Sequence, residues 1–376
     1  MTSLALPNTR WPALAGLLFL FTIIFFEVHA RQAILLLVGA GLGAAMLAGS
    51  FGFAGSWRLY FKTGDGTGIR AQLWVIAATA TLFIPLIAYF PDQLRGAIAP
   101  VGVSLLVGAV LFSIGMQLAN GCASGTLFAL GGGSIRSSFA LIGFIAGAFW
   151  ASLDMGFWLA LPKTQPIAMA NLWGWPLALL ATWVFVICGL LFFRETKSWQ
   201  ISSPFQRLPF TGSWSWTEAG IILIILNLCT LLLAGHPWSV TYGFTLWGAK
   251  FAQIMGVDLS TVPFWTWQKG QQALEHSVLT EVSSVMNIGM LLGASAYAAF
   301  AQKTVGPSQL PIREMLIAIV GGLLMGYGAR LSFGCNIGAF LGGTASGSIH
   351  GWLWFLIAFV STPLGIKLRY FLGMER

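Results

Sequence analysis

The chain is built from apolar runs that recur from one end to the other, each roughly 17–20 residues long. A helix of that length crosses the roughly 30 Å hydrocarbon core of a lipid bilayer. Transmembrane β-barrels consist instead of strands of about ten residues with alternating polarity, and the sequence shows no such alternation. The runs therefore predict an all-α integral membrane protein in which residues 1–376 form a single membrane domain.

Charged residues are scarce and lie mainly between the apolar runs. They make up only 8% of the chain, whereas a soluble domain carries about 25%. The formal net charge is +8, but its place at the ends of the runs is typical of membrane topology rather than of a nucleic-acid surface. We therefore expect the lipid bilayer as a partner and no nucleic acid. The first run, 11–28, lacks a cleavage site and is long enough to span, so we predict no cleavable signal peptide.

Ten runs are predicted to span the membrane. They are 11–28, 33–50, 72–90, 100–119, 138–154, 173–193, 218–235, 283–301, 314–332 and 351–369. The segment 241–256 is apolar but interrupted, which predicts a short or re-entrant helix. The sequence thus indicates about nine to ten transmembrane helices together with short re-entrant helices.

Four basic segments set the predicted orientation. Cytoplasmic loops of membrane proteins carry an excess of Lys and Arg, and such residues are found in 57–71, 194–207, 302–313 and the C-terminus. Both termini are therefore predicted to be cytoplasmic, and the external segments are 91–99, 155–172 and 257–282. With this topology the hairpin 100–154 and the hairpin 314–369 insert in opposite directions.

The same two hairpins share a sequence motif. The pattern G-x-x-L-x-x-G-C-x-x-G occurs at 115–125 and again at 328–338, 213 residues later. Two similar hairpins of opposite orientation predict an inverted two-fold repeat, with residues 33–193 as the first half and 218–371 as the second. A weaker similarity joins 52–58 to 243–250 and carries little weight alone.

Glycines inside apolar runs point to the binding site of such a repeat. Gly121 and Gly334 permit a broken helix and a close approach of backbones. A break at membrane depth exposes polar backbone groups, which is tolerated only around a cavity lined by protein. The helix that restarts after each break presents free N–H groups and a positive dipole end, which together favour an anion.

Two of the four cysteines lie in these motifs. Cys122 and Cys335 carry soft, polarizable thiols that suit the terminal sulfur of an anion or a selenium species. The simpler alternative is that each thiol only fills a tight helix contact, as we expect for Cys188 and Cys229. The cysteine spacing fits no zinc or haem pattern, so no cofactor or metal is expected.

Three further residues near the motifs are candidates for substrate binding. Arg330 lies inside a predicted span, where an ionisable residue is a functional candidate; it could attract the anion or simply pair with a carboxylate or a helix end. Ser124 and Asn336 follow the two cysteines and could line the same cavity. Helix capping or hydrogen bonding between helices is the alternative for both.

The paired motifs around Cys122 and Cys335 resemble those of the YeeE/YedE family of sulfur-compound membrane transporters, and the resemblance extends over roughly residues 35–370. It implies short re-entrant helices that meet at the centre and a relay of thiols that hands thiosulfate along. Thiosulfate transporters of this family carry a third cysteine near the N-terminus, where this chain has Gly52. That departure favours the YedE-like branch, which is associated with selenium or other sulfur species.

The predicted function is uptake of thiosulfate or a related sulfur or selenium compound across a bacterial inner membrane, by a multi-pass transporter that is not an enzyme. No G-x-x-x-x-G-K-[ST] loop is present, so ATP is not expected to drive it. The small anion is the expected partner, and a cytoplasmic sulfur-acceptor protein is a further candidate. The alternatives are a membrane-embedded thiol redox or persulfide-transfer enzyme and a non-catalytic subunit of a larger complex.

Overall fold

The computed structural model describes residues 10–194, 214–301 and 310–374, and within them the chain is helical. The helices are α1 Arg10–Glu27, α2 Ala30–Ala48, α3 Phe53–Thr63, α4 Thr67–Tyr89, α5 Val103–Ala119, α6 Ala123–Gly131, α7 Ile135–Ala160, α8 Met169–Trp173, α9 Trp175–Phe192, α10 Trp216–Ala234, α11 Thr241–Ile254, α12 Gln268–Glu275, α13 Val282–Phe300, α14 Ile312–Leu331 and α15 Ile349–Phe371. A 3₁₀ turn covers Val278–Thr280, and a π-helical segment covers Asn336–Gly343.

Nine stretches of the described chain are long and apolar enough to cross a membrane. They are Ala30–Thr63, Thr67–Tyr89, Val103–Gly131, Ile135–Ala160, Trp175–Phe192, Trp216–Ala234, Val282–Phe300, Ile312–Gly343 and Ile349–Phe371. The apolar part of α1, Trp11–Glu27, is shorter. The prediction of an all-α integral membrane protein is confirmed.

One predicted loop differs from the structure, whereas a short helix is observed where one was predicted, at 241–256. Most of the predicted loop 57–71 is helical, because α3 continues to Thr63 and α4 starts at Thr67; Gly64, with a φ of 75°, ends α3. Helix α11 has 14 residues and is therefore about 21 Å long, too short to cross the hydrocarbon core.

Part of the evidence for orientation lies outside the described residues. Residues 195–207 of the first basic segment lie there, and so do residues 302–309 of the segment 302–313. Arg376 at the C-terminus also lies there. The placement of both termini in the cytoplasm therefore stays a prediction.

Four G-x-x-x-G pairs hold the bundle together at two interfaces. Helix α2 meets α13, and a methyl group added at Gly39 or Gly43 would lie 2.4 or 2.0 Å from a carbonyl oxygen of α13. The reciprocal pair is Gly289 and Gly293, at 2.2 and 2.0 Å from carbonyl oxygens of α2. Only glycine permits backbones this close.

The second interface has the same construction. Helix α7 packs on α14 through Gly143 and Gly147, where an added methyl group would lie 2.1 Å from the carbonyl oxygens of Ile319 and Leu323. The reciprocal glycines on α14 are 322 and 326, at 2.0 and 2.1 Å from carbonyl oxygens of α7. Each interface joins a helix before residue 193 to one after residue 218, so the two parts of the chain are interlocked.

The helices that lead into the two Gly-Cys motifs, α5 and α14, run antiparallel to each other. Gly108 on α5 packs against Gly328 on α14, whereas Gly115, two turns later on α5, packs against Gly321. Contacts that advance along one helix and retreat along the other require opposite chain directions. The two helices therefore lead into their motifs in opposite directions. The boundaries of the predicted repeat halves stay a prediction.

Candidate functional site

The first helix break lies between α5 and α6. Asn120 ends α5 with a left-handed backbone (φ 66°), and Cys122 is the N-cap residue of α6. The Cys122 Sγ accepts a hydrogen bond from the backbone N–H of Gly125 at 3.3 Å, and the Ser124 hydroxyl lies 3.4 Å from the same sulfur. The thiol is therefore held where the first free N–H groups of a new helix point.

The second break repeats this construction between α14 and the π-helical segment. Phe333 has a φ of 58° and Gly334 a φ of 153°, and Cys335 is the N-cap residue of the segment. Its Sγ accepts from the backbone N–H of Ile337 at 3.4 Å. Isolated π-helical segments occur frequently at functional sites. Both Gly-Cys motifs thus fold into a helix, a left-handed turn, a capping thiol and a short helix.

A third break of the same form separates α2 from α3. Ser50 has a φ of 48° and Gly52 is the N-cap residue of α3, with no side-chain cap. In the described chain, the three non-glycine residues with positive φ each lie two positions before the N-cap of a short helix. The backbone of Phe53, at the start of α3, approaches the Cys122 thiol. Gly52 therefore holds in this break the place that cysteines hold in the other two.

The two thiols are buried close to each other in the centre of the molecule. Cys122 is 1% and Cys335 0% exposed, both are free, and they lie near enough for their charges to interact. Among the described residues, no cluster of three or more His, Cys, Asp or Glu side chains could hold a metal ion. Cys188 is exposed on α9 and Cys229 is half-buried on α10, so neither belongs to this site.

Asn336 follows Cys335 directly and is fully buried. Neither its Nδ2 nor its Oδ1 has a hydrogen-bond partner among the described residues. A buried polar group without a partner costs about 1–3 kcal/mol, and both polar atoms of this amide are left without one.

Arg330 lies at the end of α14, apart from the thiols, on the wall of two cavities of about 780 and 360 Å³. No carboxylate pairs with it among the described residues, so the simpler explanation, a structural ion pair, is not observed. Its guanidinium carbon lies 5.0 Å from the centroid of the Phe264 ring. Phe264 and Trp267 line both cavities with it.

Sequence reasoning missed the contribution of Phe264, Trp267 and Tyr242 to this part of the site. They lie more than sixty residues before Arg330, and no local motif links them to it. Burial raises the pKa of the Tyr242 hydroxyl to about 12, and the charge of Glu281 adds to this. The hydroxyl therefore stays protonated at neutral pH and can donate a hydrogen bond into the larger cavity.

Comparison with known proteins connects this geometry to one function class. The model of the family described as "Sulphur transport" matches residues 48–364. That range contains all three helix breaks, both buried cysteines and Arg330.

Several characterised relatives share parts of the chain. The present chain is 32% identical to the "Probable transporter YedE" of Escherichia coli over 172 residues. That alignment covers 45% of this chain and 41% of the Escherichia coli protein. The chain is 27% identical over 346 residues to the "Thiosulfate transporter TsuA" of Spirochaeta thermophila, covering 85% and 93%. The Escherichia coli protein of that name is 26% identical over 338 residues, covering 85% and 89%.

The match thus spans about two fifths of the YedE protein and most of the two TsuA proteins. The family model covers far more than half of the present chain. Together with the apolar helices and the paired helix breaks, this match shows that the chain, a multi-pass membrane protein, belongs to the sulphur transport family.

Proposed function

We propose that the chain carries a small sulfur-containing anion, thiosulfate or a related sulfur or selenium compound, across the bacterial inner membrane. The observation that carries the proposal is the pair of buried thiols, each capping a short helix at one of two matching breaks. Family membership and the names of the two thiosulfate transporters support the same cargo.

The thiols and the helix starts suit the two ends of such an ion. A thiol is a weak hydrogen-bond donor with a soft sulfur, which matches the exposed terminal sulfur of thiosulfate. The free N–H groups that follow Cys122 and Cys335 favour negative charge without a full counter-charge. Passage then requires only that hydrogen bonds be exchanged between the two stations, and no covalent bond is made or broken.

The residues beside the thiols have complementary tasks in this proposal. Gly121 and Gly334 form the turns that end one helix and start the next. Ser124 adds a hydroxyl beside Cys122, and Asn336 adds an amide beside Cys335. Among the described residues, the side chain that contacts the Cys122 thiol is the Ser124 hydroxyl rather than a base, and a thiol enzyme needs a base or a positive neighbour. This favours a transporter over the alternative thiol enzyme.

The basic end of the bundle supports one orientation of the site in the membrane. Arg136 pairs with Glu314 at 2.9 Å and donates to the carbonyl oxygen of Leu118 at 2.8 Å, while Arg369 donates to that of Gln117 at 2.5 Å. These arginines gather at the end of α5 that precedes Cys122. The positive-inside rule supports a cytoplasmic position for this end, so we propose that Arg330 and Cys335 lie towards the external side and Cys122 nearer the cytoplasm.

The test is uptake of radiolabelled thiosulfate, with selenite and sulfite in parallel, by cells that make the wild type or a single variant. We expect Cys122→Ser and Cys335→Ser each to abolish uptake at unchanged protein level. Cys188→Ser and Cys229→Ser are matched controls outside the site and should transport normally. Normal uptake by both central variants would show that these thiols serve only in packing.

A fifth variant in the same series, Asn336→Leu, separates function from stability. It removes a buried amide that has no partner and keeps the number and branching of the side-chain heavy atoms, so the thermal unfolding midpoint of the purified protein should stay the same or rise. Uptake should nevertheless fall strongly, because the ion loses a hydrogen-bond partner. A lower midpoint with proportionate loss of uptake would make Asn336 a structural residue.

A further inference from the structure

The two cavities at Arg330 meet at a common wall. Arg330, Phe264 and Trp267 line both of them, so an ion in either cavity can reach the same guanidinium. Phe333, in the turn before Cys335, lines the smaller cavity. The smaller cavity therefore leads from Arg330 to the second break, which holds Cys335.

The guanidinium of Arg330 is only partly satisfied within the protein. Its Nε and Nη1 atoms are buried and have no hydrogen-bond partner among the described residues. The ring of Phe264 supplies a cation–π contact at 5.0 Å, which contributes about 0.5–2 kcal/mol. That is less than the several kcal/mol that desolvation of a cation costs. An anion against the guanidinium would complete the site.

The surroundings of this group favour an anion as well. Arg31, Lys269 and His236 line the larger cavity and Lys163 the smaller one. Among the described residues that line either cavity, only Glu281 is acidic, and it lines the larger one. Its two oxygens accept hydrogen bonds from the backbone N–H groups of Ser283 and Ser284 at 2.9 and 2.6 Å. Glu281 therefore caps α13, and among the described residues it forms no ion pair with Arg330.

We propose that Arg330 is the capture site of the transporter, where a small divalent oxyanion binds the guanidinium opposite Phe264 before it reaches Cys335. The inference rests on the proposed function and adds a division of labour to it. A guanidinium binds oxyanion oxygens through paired N–H donors and makes no use of a terminal sulfur. Arg330 therefore selects for charge and size, and the thiols behind it select for sulfur.

This division predicts that sulfate, which has the charge of thiosulfate but no terminal sulfur, competes at the capture site. The experiment is equilibrium binding of radiolabelled thiosulfate to the purified full chain, with unlabelled sulfate as competitor. We use the Cys335→Ser protein beside the wild type, because binding at Arg330 must survive the loss of the thiol. Sulfate should displace thiosulfate from both proteins.

Arg330→Gln should weaken thiosulfate binding by roughly tenfold to a hundredfold, the range for a lost charge-assisted hydrogen bond. Arg95→Gln is the matched control. It makes the same chemical change at an exposed residue that lines neither cavity. Wild-type affinity in Arg330→Gln, or failure of sulfate to compete, would overturn the proposal. Should Arg330→Gln not fold, the sulfate competition on the wild-type and Cys335→Ser proteins still decides, because failure of sulfate to displace thiosulfate there overturns the proposal.

The outcomes also separate this inference from the proposed function. Binding that depends on Arg330 in a protein without uptake would leave the capture site standing and overturn the transport proposal. Uptake that depends on the cysteines but is indifferent to Arg330→Gln would do the reverse.

Discussion

At the scale of single residues, the site depends on three backbone conformations that side chains avoid. Ser50, Asn120 and Phe333 adopt a left-handed φ, which costs roughly 1–2 kcal/mol for a residue with a side chain. Each one turns the chain so that a new helix starts two residues later. The same local strain at three places indicates that the position of these helix starts matters more than local stability.

Gly52 offers a direct test of the third break. Its φ of −112° and ψ of 138° suit any residue, and a methyl group added there would lie 3.9 Å from a ring carbon of Phe128. We predict that Gly52→Cys is tolerated and raises thiosulfate uptake severalfold, because it adds a thiol at the helix start beside Cys122. Radiolabelled uptake measures this, with Gly52→Ala as the control that fills the space without sulfur. Equal uptake by the two variants would contradict the prediction.

The sequence predicted both central cysteines because their motif occurs twice, and repetition is visible without a structure. It could not predict which groups lack partners. Asn336 and Arg330 could be named as candidates, but whether a carboxylate or another side chain satisfies them depends on residues far away in the chain. The ring of Phe264 over Arg330 is one such distant contact.

At the scale of elements, the predicted spans correspond to helices because a run of apolar residues carries its own signal. The helix breaks were harder to place. The residues on both sides of Cys122 and Cys335 are apolar, so hydropathy does not separate α5 from α6 or α14 from the π-helical segment. Helix α3 was not predicted, because the charged residues of the segment 57–71 suggested a loop.

The glycine interfaces allow a prediction at this scale. Gly143→Ala places a methyl group 2.1 Å from the carbonyl oxygen of Ile319, which forces α7 away from α14. We expect a loss of about 1–3 kcal/mol in stability, the usual cost of overpacking, and a lower thermal unfolding midpoint in detergent. Gly55→Ala is the control, since nothing lies within 4 Å of its added methyl group. That variant should keep or raise the midpoint, because alanine favours a helix over glycine.

An unchanged midpoint in Gly143→Ala would mean that the two helices can separate without cost. The same comparison applies to Gly43 at the other interface, where the added methyl group would lie 2.0 Å from a carbonyl oxygen.

At the scale of the whole molecule, the antiparallel packing of α5 on α14 supports the predicted inverted repeat, and the orientation in the membrane can be tested. A reporter protein fused after Arg376, which itself lies outside the described residues, should be active only in the cytoplasm. A reporter that is active only outside would reverse the order of the stations and place Arg330 at the exit. Alkaline phosphatase and green fluorescent protein, which report opposite sides, provide mutual controls.

The interlocked glycine interfaces have a consequence for energetics. Because they bind the two parts of the chain together along α2 with α13 and α7 with α14, large rocking movements would have to break the closest contacts in the bundle. We therefore expect the cargo to hop between fixed stations while the scaffold stays still. Such a passage is not itself coupled to a source of energy. Net flow would follow the concentration gradient, and the cell would draw the ion inward by consuming it on arrival.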